Sequence, residues 1–299
     1  MTIGRRSEPC LVYVMEGALA RLRKSSISIK DMANQTWCEK QMELYMLYGM
    51  FSTPAMEKGK AIHYKMEVKE HVPLTVEPKT PSDRFYKTLY ENYVNLGILL
   101  EKGKCREIKI YGSINGFKVV GQIDELRIEG GKTMVVEDKT KNGENSGNIR
   151  MLQDSLQVML YRKVLDDLVC GSFSYDNFAN SYRIYDSKLS REFYDGLKSQ
   201  GMKEGSMTID GISKLLFERL KSLPEVAETL ELRYFDRKDN SLLSTINIKY
   251  DNDYLNKELK HLMGYWSGSR EASPVPEAER WKCKWCRFFG NKCTVWYNK

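Results

Sequence analysis

Residues 121–141 read GQIDELRIEGGKTMVVEDKTK. Two apolar-rich runs flank a Gly-Gly pair, the pattern of two antiparallel strands joined by a tight turn. Alternate residues of a strand share a face, so Glu137 and Lys139 point one way and Asp138 the other. If the EGGK turn pairs the runs, Asp124 and Glu137 can approach each other. Two close carboxylates repel unless a cation joins them. Mg²⁺ suits such a pair, being a hard ion that prefers oxygen ligands and keeps several waters. A lysine beside it can polarise an attacking water or neutralise charge on a phosphate. A solvated hairpin could carry the same three charges for no purpose, so the neighbouring sequence has to decide.

Upstream, REIKIYG at 106–112 and the turn SING at 113–116 add a third consecutive strand. Downstream, NIRMLQDSLQVMLYRKVLDDLV at 148–169 is an amphipathic helix, with Gln157 and Tyr161 four apart on one face. Those two side chains can bind a phosphate or position a metal-bound water. Earlier helices are expected over 25–49, with Ser28 as a cap, and over 55–70, where His63 offers an imidazole. Residues 83–102 repeat Phe85, Leu89, Tyr93, Leu96 and Leu100 at helical spacing. Helices over 212–223 and 253–268 and strands LELRYF and TINIKY follow. The result is one α+β domain over 1–299. A central mixed sheet is flanked by helices, with a mainly helical insertion around 171–250.

The chain has 299 residues, enough for a large core. Its formal charge of +7 permits a polyanionic partner without demanding one. No apolar run approaches the roughly 20 residues of a membrane helix, so no membrane partner is expected. The basic first 30 residues leave a mitochondrial presequence open beside a nuclear or cytoplasmic location.

Seven cysteines without a secretory signal read as reduced intracellular thiols. Three crowd the tail at 281–299: WKCKWCRFFGNKC holds Cys283, Cys286 and Cys293 as C-x2-C-x6-C. A closed thiolate site needs four ligands. Either a distant cysteine supplies the fourth, with Cys38 in QTWCEKQ the best choice, or the C-x2-C is a redox pair. Spacing does not separate zinc from an iron–sulfur cluster. The tail also has six aromatics among its cations and no acid from 281 onward, a composition that stacks bases or simply packs the tail.

The pieces GKAIH, GQIDEL, VVEDKT and QVMLY resemble the RecB-type branch of the PD-(D/E)xK nucleases, with a restriction-endonuclease-like core. The resemblance implies that His63, Asp124, Glu137 and the backbone carbonyl of Asp138 hold Mg²⁺ or Mn²⁺. It makes Lys139 catalytic, with Gln157 and Tyr161 assisting. Glu107 is a weaker candidate, with a structural role favoured. One early cysteine and three late ones around such a core look like the [4Fe–4S] nucleases. Two groups share that feature: CRISPR-associated RecB-like exonucleases and exonuclease V. The stretch HLMGYWSGSREASPVPEAERWKCKWC, and the long segment before it, is similar to exonuclease V. That likeness implies a monomeric, metal-dependent exonuclease degrading single-stranded DNA from free ends, in DNA repair or replication. A single-strand-binding protein is a further possible partner. A CRISPR-adaptation nuclease and a non-catalytic nucleic-acid-binding module are the alternatives.

Overall fold

The computed structural model describes residues 17–49, 52–67, 74–143 and 150–296, with the backbone alone for 55, 63–67 and 186. The presequence expectation for the chain start falls largely outside them. Among the described residues six strands form one mixed sheet. They are β1 (Ile27–Ser28), β2 (Lys104–Ile114), β3 (Phe117–Glu129), β4 (Lys132–Lys141), β5 (Thr229–Asp236) and β6 (Leu242–Lys249). The expected three-strand meander is β2–β3–β4. Asn115 and Gly116 at the first turn, and Gly130 and Gly131 at the second, all have positive φ. That is what a two-residue hairpin turn with the sheet's twist requires. One edge of β3 is lined by β2 along its length; the other is shared by β4 and, at Val119 and Val120, by parallel β1.

β5 adds to β4 in parallel, and β6 pairs antiparallel with β5. Residues 229–249 are therefore integral to the sheet, and the segment expected as an insertion over 171–250 does not stand apart as a unit. Its earlier part is helical and belongs to the crossover that a parallel β4–β5 connection requires.

The helices are α1 (Ala18–Arg21), α2 (Ile29–Tyr48), α3 (Pro54–Glu67), α4 (Pro81–Lys102), α5 (Met151–Val169), α6 (Tyr175–Tyr182), α7 (Arg191–Ser199), α8 (Ile209–Lys221) and α9 (Asn252–Ser267). Ser28 caps α2, accepting from the Lys30 N–H. Inside α2, Cys38 has φ −168° and ψ 109°, so the helix breaks there.

On α4 the buried stripe is Tyr86, Leu89, Leu96 and Leu99, while Leu100 is 41% exposed. Asn92 and Asn95 share the buried face because they close the free edge of β2. Asn92 bonds both the N–H and the carbonyl of Lys109, at 3.1 and 2.7 Å, and Asn95 donates to the Arg106 carbonyl. An exposed strand edge is a template for aggregation, and the asparagines occupy part of this one at Arg106 and Lys109. No helix among the described residues is long and apolar enough to cross a membrane.

Candidate active site and cysteine-lined cavity

The β3–β4 register pairs Glu125 with Val136, so its continuation sets Asp124 opposite Glu137. The Asp138 N–H donates to Asp124 Oδ2 at 2.8 Å, which ties the two strands together at this point. Lys139 Nζ reaches Glu137 Oε1 at 2.6 Å and Gln157 Oε1 at 2.8 Å. Gln157 Nε2 donates to the same Glu137 oxygen at 2.7 Å and to the Tyr161 hydroxyl at 3.0 Å. Five of the residues singled out in the sequence (Asp124, Glu137, Lys139, Gln157 and Tyr161) thus meet where α5 crosses β3 and β4.

Gly121 makes that crossing possible. A Cβ there would stand 2.7 Å from a Tyr161 ring carbon and 2.8 Å from Ile29. The glycine of GQIDEL is thus a close-approach position. Gly59 is buried in α3, and a Cβ on it would meet the Thr140 hydroxyl at 3.2 Å, so α3 lies against the end of β4. His63 sits one turn further along α3; its side chain lies outside the described residues.

Burial, helped by the charges of Glu107 and Asp138, pushes the Asp124 carboxyl up to about 7 against the pull of the Lys139 charge. Burial disfavours the Lys139 ammonium, but Glu137, Asp154 and Asp124 outweigh it and hold its pKa above normal. Lys139 is therefore a cation here, not a ready base. Burial and the two carboxylates raise Tyr161 well above its usual value, so it stays a neutral phenol. Among the described residues no three His, Cys, Asp or Glu side chains are placed to hold a metal ion. The donor chemistry nonetheless suits a hard cation. Two buried carboxylates face each other, and the Lys139 ammonium provides the neighbouring positive charge.

Two acids deserve more weight than the sequence gave them. Asp154 is buried, accepts from the Tyr234 hydroxyl at 3.0 Å and lies 3.8 Å from Lys139. Its signal was its place three residues before Gln157 on one helix face. Glu107 adopts φ +56°, a strained conformation for a non-glycine residue, accepts from Gln122 at 2.5 Å, and its charge is felt at Asp124.

The opposite face of the same strands carries an ion network invisible in the sequence. The Asp138 side chain accepts from Arg106 at 2.7 Å and from Arg233 at 2.7 and 3.0 Å. Glu125 accepts from Arg106 at 2.7 Å, Arg233 at 3.0 Å and Arg127 at 2.5 Å. Only the backbone of Asp138 is thus available to the acidic site.

Cys38, Cys283, Cys286 and Cys293 line one cavity with Trp37, Leu44, Val275, Phe289 and Trp296. All four are free thiols. Burial raises the Cys38 thiol, and the nearby Cys286 and Cys293 add to the effect. Cys283 is raised for the same reasons. The tail folds back on itself through Cys286 N–H to Cys283 O at 3.0 Å and Cys293 N–H to Phe288 O at 2.8 Å. Past the break at Cys38, α2 is lashed to the segment before the tail. Lys40 N–H reaches Ser273 O, and Glu39 accepts from Arg270 and from Ser273 N–H. Cys105 lies in the core and Cys170 at the surface, outside this cavity.

A model of the family described as exonuclease V, a 5′ deoxyribonuclease, matches residues 18–144 and 199–297. The chain belongs to the exonuclease V family. It is a DNA exonuclease, and of the two groups left open above the match selects this one over the CRISPR-associated enzymes. Exonuclease V of Danio rerio is 25% identical over 281 residues, 90% of this chain and 70% of that protein. Among solved structures, SSO0001 covers 91% of both chains at 12% identity with a TM-score of 0.40. A candidate exonuclease of Eubacterium rectale covers 93% of both at 9% identity with a TM-score of 0.39. At those scores neither likeness carries weight.

Proposed function

We propose that this exonuclease hydrolyses single-stranded DNA from free ends with Mg²⁺ or Mn²⁺, and that its cysteines hold a structural [4Fe–4S] cluster. The observation that carries the metal reading is the Asp124–Glu137 pair with Lys139 and Gln157 bonded to one Glu137 oxygen. Asp124, Glu137, the Asp138 carbonyl and His63 would hold the divalent ion. When bound, that ion supplies charge neutralisation at the phosphate and a more acidic water.

The chain's own residues divide the remaining work. Glu137 and Asp124 would leave their apo partners to take the ion, and Gln157 would keep Lys139 oriented as Glu137 lets go. The Lys139 ammonium, held charged by its acidic neighbours, would offset the negative charge that builds on the non-bridging phosphate oxygens. The water oxygen forms the new P–O bond as the P–O3′ bond breaks, and one proton ends on the departing 3′-oxygen. The products are a 5′-phosphate and a 3′-hydroxyl.

For the cluster, the support is four thiols from both ends of the chain around one cavity, shielded by indole and phenyl rings. Four thiolates would suit either a zinc ion or an iron–sulfur cluster, and the likeness of the cysteine pattern to the [4Fe–4S] nucleases favours the cluster. Protein isolated under argon should be brown with about four irons. Colourless, zinc-loaded protein would overturn that assignment.

Digestion of matched linear and circular single-stranded DNA tests the activity. Loss of the linear form with survival of the circle supports it, provided Glu137→Gln spares both. A circle cut as fast as the linear strand makes the enzyme an endonuclease. Wild-type digestion by Glu137→Gln overturns the site.

A further inference from the structure

We infer that Trp285 is a base-stacking subsite for the single strand, an inference that rests on the reading of single-stranded DNA as substrate. The chain has five tryptophans. Four of them have packing or hydrogen-bonding work. Trp266 is fully buried and donates to Gln35 at 2.7 Å. Trp296 donates to the Val275 carbonyl beside the cysteine cavity. Trp37 lies under the cations of Arg150, at 4.9 Å, and Lys282, at 4.5 Å. Trp281 is 42% exposed but meets Trp37 edge-on at 5.8 Å.

Trp285 differs from all of them. It is 81% exposed, the most exposed large hydrophobic side chain among the described residues, and no ring contact is made to it there. Lys284 and Arg287 beside it are exposed too, and no acid follows Glu279 in the chain. A large aromatic held in water among cations fits a polyanion that also offers flat apolar faces. Single-stranded nucleic acid does both, because its phosphates meet the cations and its unpaired bases stack on the indole.

The tail's attachment connects this platform to the helix that carries part of the acidic site. Trp281 and Lys282 fix the tail to Trp37, and Arg150 fixes Trp37 to the start of α5. Gln153 of α5 bonds Asn34 of α2 at 2.5 Å, and the next turn carries Gln157 into the acidic site. A strand running from the acidic site past the start of α5 arrives at the tail. Duplex DNA hides all but its terminal base faces in the stack, so the subsite also favours single strands.

The test is binding of a labelled oligo(dT) without added divalent metal, compared with an abasic oligomer of equal length, using protein with an unchanged visible spectrum. Trp285→Ala should weaken oligo(dT) binding about tenfold, the cost of one lost base–aromatic stack. Binding of the abasic strand should stay within twofold of wild type, and Trp285→Phe should recover most of the oligo(dT) affinity. Equal affinity of Trp285→Ala and wild type for oligo(dT) overturns the subsite alone. Equal loss on the abasic strand also overturns it, because the role would then be structural. If wild type binds neither oligomer, the single-strand reading falls with it.

Discussion

Asp124, Glu137 and Lys139 meet within one hairpin, whereas Cys38 meets Cys283, Cys286 and Cys293 only after nearly the whole chain has been laid down between them. The acidic site is set by strand alternation and by one two-residue turn, both written into twenty-one consecutive letters. The cysteine cavity depends on closure of the domain. It needs a break in α2 at Cys38, backbone bonds from Lys40 to Ser273, and a tail that knots on itself. Local geometry therefore makes the chemistry and long-range geometry holds the enclosure. Substitutions in the two regions should fail differently.

The largest expected effect is at the acidic site. Glu137→Gln should cut the rate of linear-strand digestion by at least about a hundredfold, the scale of losing one strong electrostatic contact in a reaction centre. Its thermal midpoint should move little, since the amide can still accept from Lys139. A large drop in midpoint would blur the contrast between the regions. Cys38→Ser should show the reverse order of consequences. If the proposed cluster is held there, iron content should fall, and the soluble fraction with it, because a structural metal group contributes folding energy directly, on the order of several kcal/mol. Iron analysis and a melting curve decide whether the enclosure depends on all four thiols.

A third substitution separates catalysis from its foundation. Arg233→Met removes one partner of Asp138 and Glu125, leaving buried carboxylates short of charge. That should cost about 3 kcal/mol in urea unfolding. Adding Asp138→Leu should recover part of it, because a fully apolar replacement leaves less buried charge unpaired.

The smallest effect lies away from both regions and serves as a control. Burial alone would raise the Asp83 carboxyl, but bonds from Ser190, Thr80 and Lys79 outweigh it and hold the group at about 2. The folded pKa is below the unfolded value near 3.9, so this stabilisation is complete above about pH 4 and fades as pH falls towards 2. Asp83→Asn should therefore lose about 2 kcal/mol at pH 7, and its curve should converge with wild type below pH 2. A constant gap across that range would show that the charge is not the cause.

The sheet meander, α5 and the Asp124–Glu137–Lys139–Gln157–Tyr161 set were legible because each follows from periodicity within one or two elements. What escaped needed register between distant segments. Arg233 reaches Asp138 from a strand nearly a hundred residues away, and no local pattern marks it. Glu107 ranks only as a weaker candidate from sequence because its positive φ has no sequence signal outside glycine and asparagine. The stripe on α4 was mis-phased at Leu100 because two buried asparagines, bonded to a strand edge, took positions that an apolar count assigns to solvent. Residues 229–249 were grouped with an insertion because a parallel partner for β4 has to arrive by a long crossover, and the helices of that crossover dominated the reading.

The last described stretch of the chain is also a wall for its beginning. Phe288 packs on Tyr45, Trp281 on Trp37, and Lys282 caps the Trp37 ring. Those faces of α2 are therefore covered only once residues 281–288 have been made and have folded back, so this helix docks late in synthesis. Loss of residues 281–296 should strip Trp37 and Tyr45 of their partners, and limited proteolysis within α2 would register it.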